Sequence, residues 1–466
     1  MPNDLESVSF DPADAKAALA QLPQSPAVFA LYGADSRAEP YIGRTPNLRS
    51  RLERLLQPSP KHPRRLQLAG LVRRIEWKLT GSEFESLLAQ FSLLEEIFGA
   101  KSLERMHLRS PAFVRFLGSN PYPRITVTHR PSLREADWAY GPFPSRGAAE
   151  RFAEEMLKLF LLRRCTFELA PDPTYPGCVY SEMKMCLAPC FKGCTDERYG
   201  EESAAVEKFL ATRGENRLVT LRAERDQASA ELAFESAASL HAQIQRVESV
   251  RALAAEIVRP LGRLRALMIQ ASAKLDEVAV FLFDGGRLRG PVGFSTLGMR
   301  IQNEQSGSTS LFAQPLAIEA IPEEPEIEVQ NSETREQRSE NSQDFSEHEL
   351  SGHDRGTHSM GESRAEKIQP NEEALASEAI STVPRLARGV LESRLEVALA
   401  ALSSPTIAPS STTRQGHLAL LKRWYYRPEA KRAGEIFFPD AEDQWPIKAI
   451  LRGIGRVAAK SILPPA

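Results

Sequence analysis

Five cysteines lie within a single stretch of 30 residues, and the rest of the 466-residue chain contains none. They are Cys165, Cys178, Cys186, Cys190 and Cys194. Thiols that only fill a core would be scattered, and a secreted disulfide scaffold is short and rich in cysteine throughout. The cluster therefore indicates a site that binds a metal ion or an iron–sulfur cluster. Five unligated buried thiols are the alternative.

The spacing of the cysteines limits which group they could bind. The first four follow the pattern C-x12-C-x7-C-x3-C, and Cys194 comes four residues later. Four thiolates suit either Zn²⁺ or a [4Fe–4S] cluster. The pattern lacks the paired C-x-x-C knuckles that are typical of structural zinc sites, which disfavours zinc. The spacing alone does not decide between Zn²⁺ and a [4Fe–4S] cluster.

Charge is distributed unevenly along the chain. Residues 301–380 contain 18 acidic and 5 basic residues, whereas the remainder contains 43 acidic and 54 basic residues. The acidic stretch has only two aromatic residues, so it buries too little apolar surface to fold, and most of it is predicted to be disordered. A basic body is compatible with nucleic-acid binding, although a solubilising acidic loop on a neutral enzyme explains the charge equally well.

The remaining composition is that of an ordinary globular chain, with 42% hydrophobic and 26% charged residues. The length allows about three domains. No apolar run reaches ~18 residues, so no membrane span is expected. The first residues lack a basic segment followed by an apolar one, which predicts a cytoplasmic protein without a secretory signal.

A tyrosine and several arginines are concentrated between residues 26 and 56. The strand PAVFALY is followed by a short strand PYIG and by the helix NLRSRLERLL, with Asn47 as its N-cap. Arginines on such a helix can hold a phosphodiester, and Tyr41 could orient or deprotonate a water molecule. The alternative is that these residues only pack and form a solvated face.

Other elements follow from periodicity and from turn residues. Residues 71–79 predict a strand or a short helix, and residues 82–98 predict a helix capped by Ser82. We also predict helices over 147–162, 384–402 and 417–428, nearly continuous helix over 200–255, and a β-hairpin over 276–296.

The order of four sequence blocks resembles the N-terminal half of the UvrC excinuclease family, the UvrC-like and Cho-like GIY-YIG nucleases of bacterial nucleotide excision repair. The blocks are PAVF…PYIGRTPNLRSRL, TGSEFESLLAQFSLL, YGPFPS and the cysteine cluster. The resemblance covers about residues 20–255. It implies an α+β fold with a GIY-YIG domain, described as a small mixed β-sheet flanked by helices. A UVR helical hairpin and a small C-terminal α/β part follow.

This resemblance divides the chain into six regions. They are a GIY-YIG nuclease-like domain at 20–105, a linker with the Cys-rich segment at 106–200, the UVR helical hairpin at 201–258, a β-hairpin region at 262–300, the disordered acidic insert at 301–382, and a C-terminal helical region at 383–466. The C-terminal part lacks the spaced acidic residues of a second nuclease domain and resembles the tail of short Cho-like proteins.

The resemblance assigns the nuclease site residue by residue. The tyrosine of the YIG block corresponds to Tyr41, the following basic residue to Arg44, and the arginine that stabilises the phosphorane to Arg51. The first tyrosine of the family site corresponds to Phe29, which has no hydroxyl. Tyr32 lies three residues along the same strand, so it faces the opposite side and is a poor substitute.

The position of the family's metal-binding glutamate is occupied by Gln90. A neutral amide is a much weaker Mg²⁺ ligand than a carboxylate, and Glu83 lies two turns away, ~10 Å along the helix axis. We therefore expect a degenerate nuclease site that binds Mg²⁺ only weakly or not at all. One alternative is that the helix register is misplaced. Another is an active single-incision excinuclease, in which a carboxylate from elsewhere in the chain lies near Gln90.

The resemblance also implies partners and a cofactor. DNA would be bound by the basic residues Arg44, Arg49, Arg51 and Arg54. The string LAFESAASLHAQI resembles a UVR motif, which docks on UvrB, and its candidate contacts are Leu232, Phe234, Glu235, Ala238, Leu240 and Ile244. The alternative is that this helix pair only packs within the chain.

The cysteines Cys165, Cys178, Cys186 and Cys190 match the family's ligands for a [4Fe–4S] cluster, with Zn²⁺ as the alternative and Cys194 as a spare thiol. Near the C-terminus, ILRGIGRVAAKSI contains the Gly-Ile-Gly of a helix-hairpin-helix loop that binds a DNA phosphate. No second helix pair accompanies it, so this motif is weak.

Overall fold

The computed structural model describes residues 5–35, 37–57, 68–299, 386–404 and 408–462. The predicted disordered insert at 301–382 lies outside the described residues.

An antiparallel sheet occupies the N-terminal part. Its elements are β1 (Glu6–Ser9), α1 (Ala15–Ala20), β2 (Ala27–Gly33), β3 (Tyr41–Thr45), α2 (Leu48–Leu56), β4 (Val72–Leu79) and α3 (Glu83–Phe98). The strand order is β1-β4-β2-β3, and every pairing is antiparallel, so the expectation of a mixed sheet is wrong. Residues 71–79 form a strand rather than a short helix, and β3 lies at the sheet edge.

Side-chain alternation gives this sheet two apolar faces. Phe29 packs with α1 and α2 on one face, while Val28 and Ala30 pack with α3 on the other. Both predicted helix caps are confirmed: Asn47 Oδ1 accepts the Ser50 N–H at 3.0 Å, and Ser82 Oγ accepts the Glu85 N–H at 3.1 Å.

The middle of the chain builds a second sheet and a helical layer. Its elements are α4 (Ser102–Arg105), β5 (Ala112–Phe116), β6 (Ile125–Thr128), β7 (Ala139–Phe143), α5 (Arg146–Leu157), α6 (Val179–Glu182), α7 (Asp196–Ala211), α8 (Glu215–Ala230), α9 (Phe234–Ala252) and β8 (Arg259–Pro260). The strand order is β6-β5-β7-β8. The predicted helical stretch is broken at Gly214 and Leu232, which both have positive φ.

The third sheet joins regions that the sequence predicted to be separate. Its elements are β9 (Ala266–Ala271), β10 (Glu277–Asp284), β11 (Arg287–Ser295), α10 (Arg388–Ser403), α11 (Ser411–Tyr425), β12 (Glu435–Phe437) and α12 (Ile447–Ile462). The order β11-β10-β9-β12 confirms the predicted hairpin, which turns at Gly285 and Gly286. It also pairs β12 with β9, so the C-terminal region completes the hairpin's sheet.

The Gly453-Ile454-Gly455 motif lies within the continuous helix α12. A helix-hairpin-helix loop requires a turn between two helices, so the expectation of such a loop is wrong. In the part of the chain that the structure describes, no helix is long and apolar enough to cross a membrane.

Candidate functional site

Tyr41 and Arg51 come together at the exposed edge of the first sheet. Tyr41 begins the edge strand β3, and Arg51 lies on the first turns of α2. The Arg51 Nη2 donates to the Tyr41 hydroxyl at 3.3 Å. A guanidinium beside a phenol can bind a phosphate oxygen next to a hydroxyl that orients water.

Phe29 packs beneath Tyr41 and Arg51. It lies opposite Gly43 in the β2–β3 register and is fully buried, and its ring centroid is 6.1 Å from that of Tyr41. A Cβ at residue 43 would lie 2.8 Å from Phe29 Cζ, so glycine is required for the ring to fit there. Tyr32 faces the other side of the sheet, where Arg74 covers its ring, and burial, followed by Glu76, raises its pKa to about 12.

A cleft of about 610 Å³ opens between the end of β3 and the start of α3. It is lined by Pro26, Arg44, Thr45, Pro46, Gly81, Ser82, Glu83 and Ser86. Glu83 is the single carboxylate among these lining residues, so it is the group to test as a replacement for the glutamate that is absent at Gln90.

Glu83 is already paired with cations. Arg427 donates to both carboxylate oxygens, at 2.7 and 2.9 Å, and Arg44 Nη1 lies 3.7 Å from Oε1. The Arg427 hydrogen bonds are the largest cause of the lowered pKa of Glu83, and the charges of Arg427, Arg44 and Arg423 add to them. Arg427 lies 344 residues away in the sequence, and no local pattern in the sequence could have identified it.

Gln90 lies on α3, one turn after Ser86 and two turns after Glu83, and it is half-buried. Glu85 does not substitute for it. The Glu85 carboxylate is buried and accepts the Gly81 N–H at 2.8 Å, so it caps its own helix, and burial raises its pKa.

The four arginines predicted to bind DNA have different surroundings. Arg51 contacts Tyr41, whereas Arg44 points to the α3 side of β3 and pairs with Glu83. Arg54 is exposed and donates to the Ser50 carbonyl of its own helix. Arg49 Nε donates to the Leu22 carbonyl at 2.7 Å, which holds α2 to the segment before β2.

Four of the five cysteines lie close enough to influence one another. Burial raises the pKa of Cys186 to about 11, and the charges of Cys165, Cys178 and Cys190 raise it further. Burial, Cys178 and Cys165 likewise raise the pKa of Cys190. Cys194 is affected by burial, by Asp196 and, among the cysteines, by Cys190 alone. Cys165 and Cys178 therefore lie near enough to influence both Cys186 and Cys190.

Two donors lie near sulfur atoms of this segment. The Ala188 N–H donates to Cys186 Sγ at 3.3 Å, and Arg163 Nη1 lies 3.6 Å from Cys165 Sγ. Such donors stabilise ligating sulfurs. Among the described residues, no group of three His, Cys, Asp or Glu side chains is arranged as a site for a metal ion.

The helices α8 and α9 form an antiparallel hairpin with an exposed tip. Leu232 is 72% exposed and Phe234 66% exposed, and Glu235 and Ala238 beside them are also exposed. Further along α9, Leu240 is half-buried against the central core and Ile244 is buried within it. The tip is therefore available to a partner, whereas Ile244 belongs to the chain's own packing.

Two family profiles match the regions just described. Residues 113–209, which include the second sheet and the cysteine loop, match the middle domain of the UvrC/Cho excinucleases. Residues 215–250, which form the α8–α9 hairpin, match the UvrB/uvrC motif. The resemblance to the UvrC excinucleases is thus confirmed over these residues.

Curated relatives support the same family. The chain is similar to the UvrABC system protein C of Pseudomonas protegens, at 29% identity over 59% of the chain and 43% of the relative. It is similar to that of Alcanivorax borkumensis at 28% identity, over 60% of the chain and 45% of the relative. The chain thus spans less than half the length of these relatives. No solved structure matches.

Proposed function

We propose that this chain is a UvrC-like protein of nucleotide excision repair that binds DNA and UvrB and whose incision activity is weakened or lost. The two family matches and the relatives named UvrABC system protein C support the assignment to excision repair. We propose a GIY-YIG origin for residues 20–105 because Tyr41 and Arg51 meet at the edge of a small sheet.

The proposal of weak incision rests on the ion pair between Glu83 and Arg427. Phosphodiester hydrolysis at this kind of site needs a metal ion held by a carboxylate. Gln90 offers an amide, and the carboxylate that lines the cleft has both oxygens hydrogen-bonded to Arg427. Displacing Arg427 would be required before Glu83 could bind Mg²⁺.

The same charges favour DNA binding. Arg44 and Arg427 both pair with Glu83 at the cleft, and Arg51 is half-buried on the other side of the edge strand. Phosphate contacts need guanidinium groups and no metal ion. The cleft therefore suits non-catalytic binding of a DNA backbone better than metal-dependent hydrolysis.

An active single-incision excinuclease is the second candidate. The contact between Tyr41 and Arg51 favours it, because that pair is the part of the family site that needs no metal. In this case Mg²⁺ would require a carboxylate from elsewhere in the chain, because Gln90 offers only an amide.

We further propose that the exposed tip of the α8–α9 hairpin docks on UvrB through Leu232, Phe234, Glu235 and Ala238. An aromatic side chain that is exposed in the free chain, beside an exposed leucine at the tip of a helix pair, is typical of an anchor that becomes buried in a complex.

We also propose that the cysteine loop holds a [4Fe–4S] cluster, with Zn²⁺ as the alternative, in the reducing environment of the cytoplasm.

A nicking assay on damaged duplex DNA with UvrB and Mg²⁺ tests the proposed loss of incision. We expect the native chain to bind the duplex but to nick it little or not at all. Gln90→Glu should increase Mg²⁺-dependent nicking, and Gln90→Glu with Phe29→Tyr should increase it further, because both changes restore groups of the family site.

The control variant is Tyr41→Phe in the Gln90→Glu background, which should abolish the restored nicking by removing the hydroxyl. Strong Mg²⁺-dependent nicking by the native chain that Tyr41→Phe abolishes would instead establish the active excinuclease. The register of α3 would then have to be revised.

A further inference from the structure

The helix α11 runs antiparallel along α3, and its C-terminal end reaches the cleft. Contacts between the two elements pair Thr413 with Glu95, His417 with Phe91, Trp424 with Phe84 and, just beyond the end of α11, Arg427 with Glu83. Residues further along α11 therefore meet residues closer to the N-terminal end of α3. That end carries Ser82, Glu83 and Ser86 of the cleft lining, so the last turn of α11 lies beside the cleft.

Arg423 occupies the last turn of α11, four residues before Arg427. Residues four apart lie on the same side of a helix, so Arg423 lies on the side from which Arg427 reaches Glu83. Its neighbour Trp424 is buried against Phe84, with ring centroids 5.9 Å apart, whereas Arg423 is exposed. The charge of Arg423 also helps to lower the pKa of the Glu83 carboxyl group. Arg423 is therefore an exposed cation close to the cleft.

The charge of Arg423 is not neutralised by an acid. Within the part of the chain that the structure describes, Arg423 forms no hydrogen bond and no ion pair. Both carboxylate oxygens of Glu83 already accept hydrogen bonds from Arg427. The helix α11 contains no acidic residue, and burial, followed by the charge of Arg109, lowers the pKa of the adjacent Lys422. Cations without acidic partners create a positive potential that attracts anions to this end of α11.

We propose that Arg423 binds a phosphate of the DNA backbone beside the cleft, so that α11 and the edge strand β3 both contribute cations to one DNA-binding surface. The inference rests on the proposed DNA binding of the chain. It adds a contact from the C-terminal region, since α11 lies outside both regions that match the family profiles, 113–209 and 215–250.

A phosphate is the anion that this arrangement suits. An exposed guanidinium can donate two parallel hydrogen bonds to a phosphate, and Arg423 has no ion pair to break first. Arg427 neutralises Glu83, which reduces the repulsion between that carboxylate and an approaching phosphate. Arg44 and Arg423 come from two different elements near Glu83, and separated cations suit the repeating charges of a nucleic-acid backbone.

The test compares the full-length wild type with R423A, R423K and R394A. Arg394 is the matched control, because it is exposed and forms no ion pair among the described residues. It lies on α10, which packs on the opposite face of the third sheet from α11. Binding to a fluorescein-labelled duplex of mixed sequence is measured by fluorescence anisotropy at several salt concentrations between about 50 and about 200 mM. Circular dichroism gives the melting temperature of each variant.

We expect R423A to bind the duplex more weakly than the wild type at low salt. The slope of log affinity against log salt should decrease by about 0.9, so the ratio of the two affinities should fall about 3.5-fold over this salt range. R423K keeps the charge and should keep the wild-type slope. R394A should match the wild type in affinity and slope. The melting temperature of R423A should be unchanged, because the side chain is exposed.

A wild type that binds the duplex with the same slope as R423A would overturn the role of Arg423 and leave the proposed DNA binding intact. An equal decrease in slope for R423A and R394A would also overturn it, because net charge alone would then explain the effect. A wild type that does not bind the duplex would overturn the proposed DNA binding, and with it this inference. If R423A does not fold, R423Q decides: a folded R423Q with the wild-type slope overturns the phosphate contact.

Discussion

Glu83 meets Arg427 and Arg44 at the start of α3, where a loop from the C-terminal part reaches the first sheet. Its side chain is 45% exposed, so solvent screens the pair and its contribution to stability is small. The pKa of the carboxyl group is lowered, mainly by the Arg427 hydrogen bonds. The native state therefore favours the ionised form.

The sign of the pH dependence follows from that lowered pKa. The stabilisation is present above the unfolded-state pKa of about 4.5 and is lost as the pH falls through the lower native pKa. We expect Glu83→Gln to reduce the free energy of unfolding by about 0.5 kcal/mol at pH 7 and by much less at pH 3. Denaturant unfolding at both pH values measures this, and Arg427→Gln should remove the difference. A loss that is the same at both pH values would contradict the ion-pair account.

Arg51 has a different role, because its guanidinium contacts the Tyr41 hydroxyl and forms no ion pair with a carboxylate among the residues that the structure describes. If it binds a DNA phosphate, Arg51→Ala should weaken binding similarly for all sequences. The slope of log affinity against log salt should decrease by about one counterion. Arg146→Ala is the control, since Arg146 is exposed on α5 and pairs with Glu150 away from the cleft. If Arg51→Ala and the wild type bind DNA with equal affinity at low salt, the arginines of α2 face solvent and do not contact DNA.

At the scale of elements, the α8–α9 hairpin combines a buried base with an exposed tip. Val247 and Val250 are buried with Ile244 in the central core, which anchors α9, while Phe234 is 66% exposed. Removing an exposed ring costs the isolated chain little. Removing a ring that is buried in a complex costs about 2 kcal/mol or more of binding.

We therefore expect Phe234→Ala to weaken UvrB binding by at least about 30-fold and to leave the melting temperature of the chain unchanged. Val219→Ala is the matched control, because Val219 is also an exposed apolar residue of the hairpin, 59% exposed, on α8. Binding by calorimetry and melting by circular dichroism separate the two effects. A lower melting temperature with intact binding would assign Phe234 to the chain's own packing.

At the scale of the whole molecule, the predictions that the structure confirms concern features determined by residues close together in the sequence. The caps at Asn47 and Ser82 and the turn at Gly285 and Gly286 depend on contacts within four residues. The pairing of β12 with β9 and the contact of Arg427 with Glu83 join residues far apart in the sequence. No local pattern encodes such contacts, so the sequence predicted a separate C-terminal region and did not reveal the partner of Glu83.

The contact between α11 and α3 is the clearest link between distant parts of the chain. Phe91 is fully buried there, and its ring lies 5.6 Å from that of His417 in an edge-on arrangement. His417 is buried and its Nδ1 accepts the Leu288 N–H at 2.9 Å, while burial lowers its pKa to about 3, so it stays neutral. Gly416 lies directly against the Phe91 ring, since an added Cβ there would overlap the ring atoms.

Gly416→Ala should therefore lower the free energy of unfolding of the whole chain by about 1–3 kcal/mol, because the Phe91 ring is enclosed and a new methyl group overpacks the contact. Gly389→Ala is the control: Gly389 lies in α10 with open space around it, and alanine at a helix position should be neutral or stabilising by up to about 1 kcal/mol. Denaturant unfolding monitored both at α3 and in the C-terminal sheet should show the same midpoint shift for Gly416→Ala. If the two parts unfold at separate midpoints, α11 does not couple them, and Arg427 would not be held at Glu83 by the fold.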